Sequence, residues 1–181
     1  MTNIEIINNK EVEYKIIPSV QVVLMRQGKD DIEFFLLHRI AGGFQNQWSF
    51  PGGAIDSGET DQQTSCRETF EETGIKIKKK DLHYLRTTDS TTDRVINNKQ
   101  VSCKYVIQVF IVFADKLSPS NNSPKEHDQG KWFPSKEALK MHDNIVTEAT
   151  RNGEDITADK IPNALAPKTL ETIKILSSLS F

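Results

Sequence analysis

The chain has 181 residues, 36% of them hydrophobic, and a formal charge of -2. This is enough for one substantial core of single-domain size, and the near-balance of charge excludes the broad basic field of a protein that grips duplex nucleic acid. Two distant cysteines, Cys66 and Cys103, exclude a disulfide scaffold and a cysteine zinc site; no leader-like segment opens the chain, and the longest apolar run, YVIQVFIVFA, is too short to cross a bilayer. A cytoplasmic protein with neither a membrane nor a nucleic-acid partner is expected.

In chain order, SVQVVLM (19–25) and FFLLHR (34–39) are short apolar, β-branched runs split by the turn-like QGKDD, which predicts a β-hairpin. KYVIQVFIVFAD (104–115) is apolar nearly throughout, which predicts a central strand covered on both faces. SPSNNSPKEHDQG (118–130) predicts an irregular loop ahead of Trp132 and Phe133. KEALKM then predicts a short helix with Ser135 as its N-cap. Residues 143–162 show no period that decides between helix and loop. In APKTLETIKILSSL (166–179), Leu170, Ile173, Leu176 and Leu179 fall at helical spacing. A single domain over residues 1–181 is expected, with a short N-terminal extension and a C-terminal helix.

The densest chemistry lies in GAIDSGETDQQTSCRETFEETGI (53–75). After the breaker cluster Pro51-Gly52-Gly53, Thr60 or Asp61 can cap a helix that runs to about Thr73 and stops at Gly74. On that helix Glu68 and Glu72 lie about 40° apart around the axis, as do Arg67 and Glu71. Two carboxylates on one face repel by a few tenths of a kcal/mol. A solvated acidic face is one reading. The other is a site for a hard dication such as Mg²⁺, which takes carboxylate, carbonyl and phosphate oxygens together.

The longer spacing decides between them. Gly53, Glu59, Arg67-Glu68, Glu71-Glu72 and Gly74 resemble the Nudix box, GX5EX7REUXEEXGU, at every fixed position, where U is a bulky aliphatic residue. At residue frequencies of roughly 6%, chance would give this less than about once in a million chains of this size. Thr69 departs from the pattern at the first U, and the inner face it shares with Thr64, Ser65 and Thr73 is unusually polar. The flanks FFLLHR, IAGGFQNQ and WSFPGG follow the family's order too.

The resemblance implies an α/β fold, the Nudix α/β/α sandwich with a mixed β-sheet. It also implies hydrolysis of a diphosphate linkage in a nucleoside diphosphate derivative by metal-activated water. Mg²⁺ is the implied ion, with Mn²⁺ as the alternative. Metal ligands are expected at Glu68, Glu71, Glu72 and the Gly53 carbonyl, or that of Gly52. Glu126, six residues before Trp132, resembles the further late-loop glutamate of MutT-like members, as ligand or base. Arg39 resembles a phosphate contact. Glu71, Glu126 and Arg67 form the catalytic set; Glu59 and Gly74 hold the motif together, and Arg67 shares in this. WSFPGG with Glu126 favours a nucleoside triphosphate, oxidised or noncanonical forms included. Nucleotide sugars, ADP-ribose and dinucleoside polyphosphates are the alternatives, and a non-catalytic nucleotide-sensing module is a third reading. The partner is thus a small-molecule nucleotide, with a homodimer left open. His38, His83 and His142 read as structural, His127 stays outside the site, and Trp48 and Phe50 read as packing.

Overall fold

A computed structural model describes residues 2–7, 10–96, 99–154, 157 and 161–179, with the backbone alone for those up to residue 14 and for 93–96 and 99–100. Strands β1 (Thr2–Ile7), β2 (Lys10–Gln27), β3 (Ile32–Arg39) and β4 (Trp48–Ser49) precede helix α1 (Asp61–Thr73). A 3₁₀ turn (Lys79–Asp81) then leads to β5 (His83–Ile96), β6 (Lys99–Phe113), β7 (His127–Pro134), α2 (Ser135–Arg151) and α3 (Pro167–Ser178).

The sheet runs β4-β3-β2-β6-β5, with β1 also on β2 and β7 also on β3. It is mixed, because β2 and β6 pair in parallel from Tyr14↔Ser102 to Met25↔Phe113 while the other pairs are antiparallel. The expected hairpin is present, closed by Met25↔Phe34, Arg26↔Glu33 and Gln27↔Ile32. Its strands then part, and residues 51–55 lie along the vacated edge of β2, where Val22 N–H donates to the Pro51 carbonyl and Val20 N–H to that of Gly53. The glycine loop is therefore registered by the sheet itself.

Alternate side chains of β2 and β3 feed two cores, which explains why both strands read as continuous apolar runs. Val23, Met25, Phe34 and Leu36 pack with Trp48, Phe50, Phe133, Ile173 and Leu176 on the side of α2 and α3. Val20, Val22, Leu24, Phe35 and Leu37 pack with Phe110, Val112 and Ile77 on the opposite side, where Cys66 of α1 joins them. Each fully buried Phe or Leu contributes roughly 1.5–3 kcal/mol. The result is an α/β/α sandwich around a mixed sheet, the architecture that the resemblance implies.

One element was not anticipated, and several expectations need correction. Residues 83–96 form a long strand that polar HYLRTTDSTTDRVI does not advertise, and it is held by β6. The loop expected over 118–130 ends early, since β7 starts at His127 and pairs with β3. Ser135 is not the N-cap of α2. Pro134 stands there, and Asp31 from the β2–β3 turn accepts the Lys136 N–H at 2.9 Å and the Ser135 hydroxyl at 2.8 Å. The helix also runs on to Arg151, through the first part of 143–162, of which residues 155, 156 and 158–160 lie outside the described residues. β6 is central as expected, but Phe113 at its end is more than half exposed.

Candidate active site

Helix α1 is fixed at both ends. Thr60 is the N-cap, its hydroxyl accepting the Gln63 N–H while the Gln63 side chain accepts the Thr60 N–H, a capping box. Gly74 closes the other end at φ 72°, a left-handed conformation that glycine adopts at no steric cost. The polar inner face is buried as expected at Thr64, Ser65, Thr69 and Thr73. Two of its hydroxyls turn inward, Thr69 donating to the Ser65 carbonyl and Thr73 to that of Thr69.

Arg67 is the hub of the outer face. Its Nε donates to Glu59 Oε1 at 3.0 Å and its Nη2 to Glu59 Oε2 at 3.0 Å. Its Nη1 donates to Glu68 Oε1 at 2.8 Å and to Glu71 Oε2 at 3.0 Å. One planar fork thus orients three of the four box carboxylates. The guanidinium holds Glu59 down at about 2, with the Thr64 hydroxyl adding to the effect. Burial instead raises Glu68, against the pull of Arg67.

Glu72 is different: it is 3% exposed and turns inward toward the glycine loop, where Oε2 accepts the Gly52 N–H at 2.9 Å. Burial pushes it up to about 8, although the Gly52 N–H and the Arg39 charge oppose this. A Cβ on Gly53 would fall 2.4 Å from Glu68 Oε1, so the missing side chain makes the space in which that carboxylate sits. The Gly53 carbonyl already accepts the Val20 N–H at 2.9 Å. Among the described residues nothing donates to the Gly52 carbonyl, which favours Gly52 over Gly53 as the main-chain oxygen for a cation.

The late loop is clasped to the end of α1. Asn122 N–H donates to the Glu72 carbonyl at 2.8 Å, its side chain donates to that of Glu71 at 3.1 Å, and Ser120 N–H donates to the Thr73 carbonyl at 3.0 Å. This carries Glu126 to Glu72 across more than fifty residues of sequence. Together with His127 they form a group whose ligand atoms lie within 4.8 Å of one another. His127 is fully buried, its Nε2 stands 3.8 Å from Glu72 Oε1, and burial, reinforced by the Arg39 charge, lowers it to about 4. Sequence reading missed this residue; its only signal was adjacency to Glu126.

Arg39, at the end of β3, has a buried Nε without a hydrogen-bond partner among the described residues. It borders a cavity of about 300 Å³ that Gly52 and Gly53 also line. Three more buried polar atoms without hydrogen-bond partners among the described residues, Gln21 Oε1, Ser49 Oγ and Thr169 Oγ1, belong to residues of the same wall. The remaining histidines take structural parts: His38 Nδ1 lies 2.7 Å from Asp128 Oδ1, His83 packs on Phe113, and His142 Nδ1 accepts the Leu165 N–H. Trp48 and Phe50 are core residues.

The donor set fits a divalent cation: two carboxylates share a small volume, one of them desolvated, with a free glycine carbonyl and an unpartnered imidazole beside them. A three-layer sandwich that aims a glutamate-bearing helix at a glycine loop defines an acidic, cation-competent site beside an open cavity. The NUDIX domain matches residues 15–152, and the chain belongs to the Nudix family. An RNA pyrophosphohydrolase of Bartonella quintana (strain Toulouse) is 32% identical over 101 residues, 48% of this chain and 56% of its own length. Another, of Baumannia cicadellinicola, is 52% identical over 44 residues, 24% of this chain and 26% of its own. The chain thus spans about half or less of the curated relatives it matches. A NUDIX hydrolase structure from Alicyclobacillus acidocaldarius superposes with a TM-score of 0.59 at 17% identity, covering 92% of this chain and 93% of the other, which is a likeness of fold. Among the described residues no helix is long and apolar enough to cross a membrane.

Proposed function

We propose that this protein is a divalent-metal-dependent Nudix pyrophosphohydrolase that cleaves a phosphoanhydride bond in a nucleoside triphosphate, with Mg²⁺ or Mn²⁺ as its ion. The observation that carries the reading is the meeting of box Glu72 with late-loop Glu126, within the span of one cation, beside a cavity that Arg39 borders. The cation, when bound, supplies Lewis-acid polarisation of phosphate oxygens and acidifies water. Glu72, Glu68, Glu126 and the Gly52 carbonyl hold it; Glu71, on the open side of the Arg67 fork, serves a further ion.

Arg67 acts as a positioning residue, since its donors are taken up by carboxylates. Arg39 is the phosphate contact, and its unpartnered Nε finds its acceptor there. Glu126, exposed at the loop tip, accepts the proton of the attacking water. The nucleoside fills the cavity, where the unpaired atoms of Gln21, Ser49 and Thr169 meet its polar edges.

A second reading places the triphosphate on the 5′ end of an RNA. The names of the curated relatives favour it. The deciding experiment is a hydrolysis screen with Mg²⁺ and Mn²⁺ over nucleoside triphosphates, 5′-triphosphorylated RNA, nucleotide sugars, ADP-ribose and dinucleoside polyphosphates, with product identification. Turnover of triphosphates to monophosphate and pyrophosphate is expected. Binding without turnover of any compound would replace the enzyme by a nucleotide sensor.

A further inference from the structure

His127 has no role in the proposed function, yet its ring is buried beside the proposed ligands. Its side chain is 1% exposed, and neither Nδ1 nor Nε2 has a hydrogen-bond partner among the described residues. A buried polar group left in this state costs about 1–3 kcal/mol. The backbone around it is held firmly: its N–H donates to the Ser123 carbonyl at 3.0 Å, and its carbonyl accepts the Asn121 side chain at 2.6 Å. β7 fixes it opposite Arg39 in the sheet. The ring is therefore delivered to its position by the fold.

Its nearest acidic atom, Glu72 Oε1, stands 3.8 Å from Nε2. That is beyond the ~3.2 Å limit of an ordinary N–H···O hydrogen bond, so a direct bond to the carboxylate does not account for it. Two donors that each lie about 2.0–2.2 Å from one small dication are roughly 3 Å apart at a right angle and roughly 4.2 Å apart when opposite. The observed separation falls inside that range. Glu72 Oε2 is occupied by the Gly52 N–H, so Oε1 is the oxygen left to share an ion with the ring.

We propose that His127 Nε2 is a nitrogen donor to the cation held by Glu72 and Glu126, which biases the site toward borderline first-row dications over magnesium. The inference rests on the reading of Glu72 and Glu126 as cation ligands. Magnesium is a hard ion that takes oxygen donors, whereas imidazole favours the later transition metals, with affinity rising from Mn²⁺ through Co²⁺.

The test uses the full chain loaded with Mn²⁺ alone. Pulsed EPR should show ¹⁴N modulation from a coordinated imidazole, and labelling all histidines with ¹⁵N should convert it to the ¹⁵N pattern. This measurement needs no variant. His127→Gln should abolish the modulation while Mn²⁺ still binds. By calorimetry, the same substitution should lower the ratio of Co²⁺ to Mg²⁺ affinity about tenfold or more. Bound Mn²⁺ without histidine modulation, or Co²⁺ and Mg²⁺ affinities that fall in equal proportion, overturns the role of His127 and leaves the carboxylate assignment standing. No Mn²⁺ binding at all overturns both.

Discussion

We predict that Gly53→Ala damages activity far more than stability, because the added methyl collides with a carboxylate and not with backbone. The new Cβ would lie 2.4 Å from Glu68 Oε1 and 2.6 Å from its Cδ, whereas ordinary contact begins near 3.4 Å. The carboxylate must therefore retreat by about 1 Å, a misplacement that costs on the order of a hundredfold in rate at a reacting centre. This corresponds to about 2.7 kcal/mol of barrier. The fold loses much less, since the end of a glutamate side chain yields easily. Gly52→Ala is the contrast: its Cβ would lie 2.2 Å from the Val20 carbonyl oxygen, and its φ of 153° disfavours a side chain. That variant should unfold at markedly lower denaturant. The assay is a double-mutant cycle of kcat on the best substrate, with urea melts of every variant. In a Glu68→Ala background the carboxylate is gone, and Gly53→Ala should then cost less than about threefold. If the two substitutions combine additively, Gly53 does not act through Glu68 and the reasoning fails.

Three further outcomes are expected. Glu72→Gln keeps shape but loses charge, and kcat should drop by more than about a hundredfold with the fold retained on circular dichroism; a loss below threefold would remove Glu72 from the ion. Glu126→Gln should lower kcat by about a hundredfold or more while KM stays within about threefold; a kcat within about threefold of the parent would send the search for the base back to the box. Asp31→Ala should destabilise by about 1 kcal/mol in urea unfolding through loss of the α2 cap. The bonds from Lys136 and Ser135 outweigh burial and hold Asp31 below its ordinary 3.8. Its contribution is then complete above that pH and lost as pH falls through the folded-state value, so parent and variant should converge under acid; a gap that persists there would refute the linkage.

The box was legible because its chemistry is local. Thr60, Gly74 and the spacing of Arg67, Glu68, Glu71 and Glu72 lie within one loop and one helix, so period and capping rules suffice to orient them. β3, residues 19–25 of β2 and β6 from Lys104 onward were legible as well, since each carries a nearly unbroken apolar run, whereas the first half of β2 and the start of β6 were not. β5 was not, because a strand whose support is the ladder to β6 needs no apolar period of its own. The cap of α2 was misread for a related reason: the accepting side chain sits a hundred residues away at Asp31, and no local rule reaches it. His127 falls in the same class. Sequence placed it in a loop, whereas pairing with β3 and the Asn121 and Asn122 clasps turn that stretch into a buried edge of the site.

One part of the cavity wall lies outside the stretch that the family match covers. Ala166, Lys168 and Thr169 border the cavity, yet they lie beyond residue 152, where the family match ends. They are nonetheless sewn to the glycine loop's approach, since Trp48 N–H donates to the Ala164 carbonyl, Ala166 N–H to that of Trp48 and Asn163 N–H to that of Asn46. The proposed glutamate site and this part of the cavity wall thus lie on separate stretches of the chain that are joined through the backbone. Under the proposed function, substitutions at Lys168 and Thr169 would reshape the wall that meets the nucleoside while the glutamates keep their places.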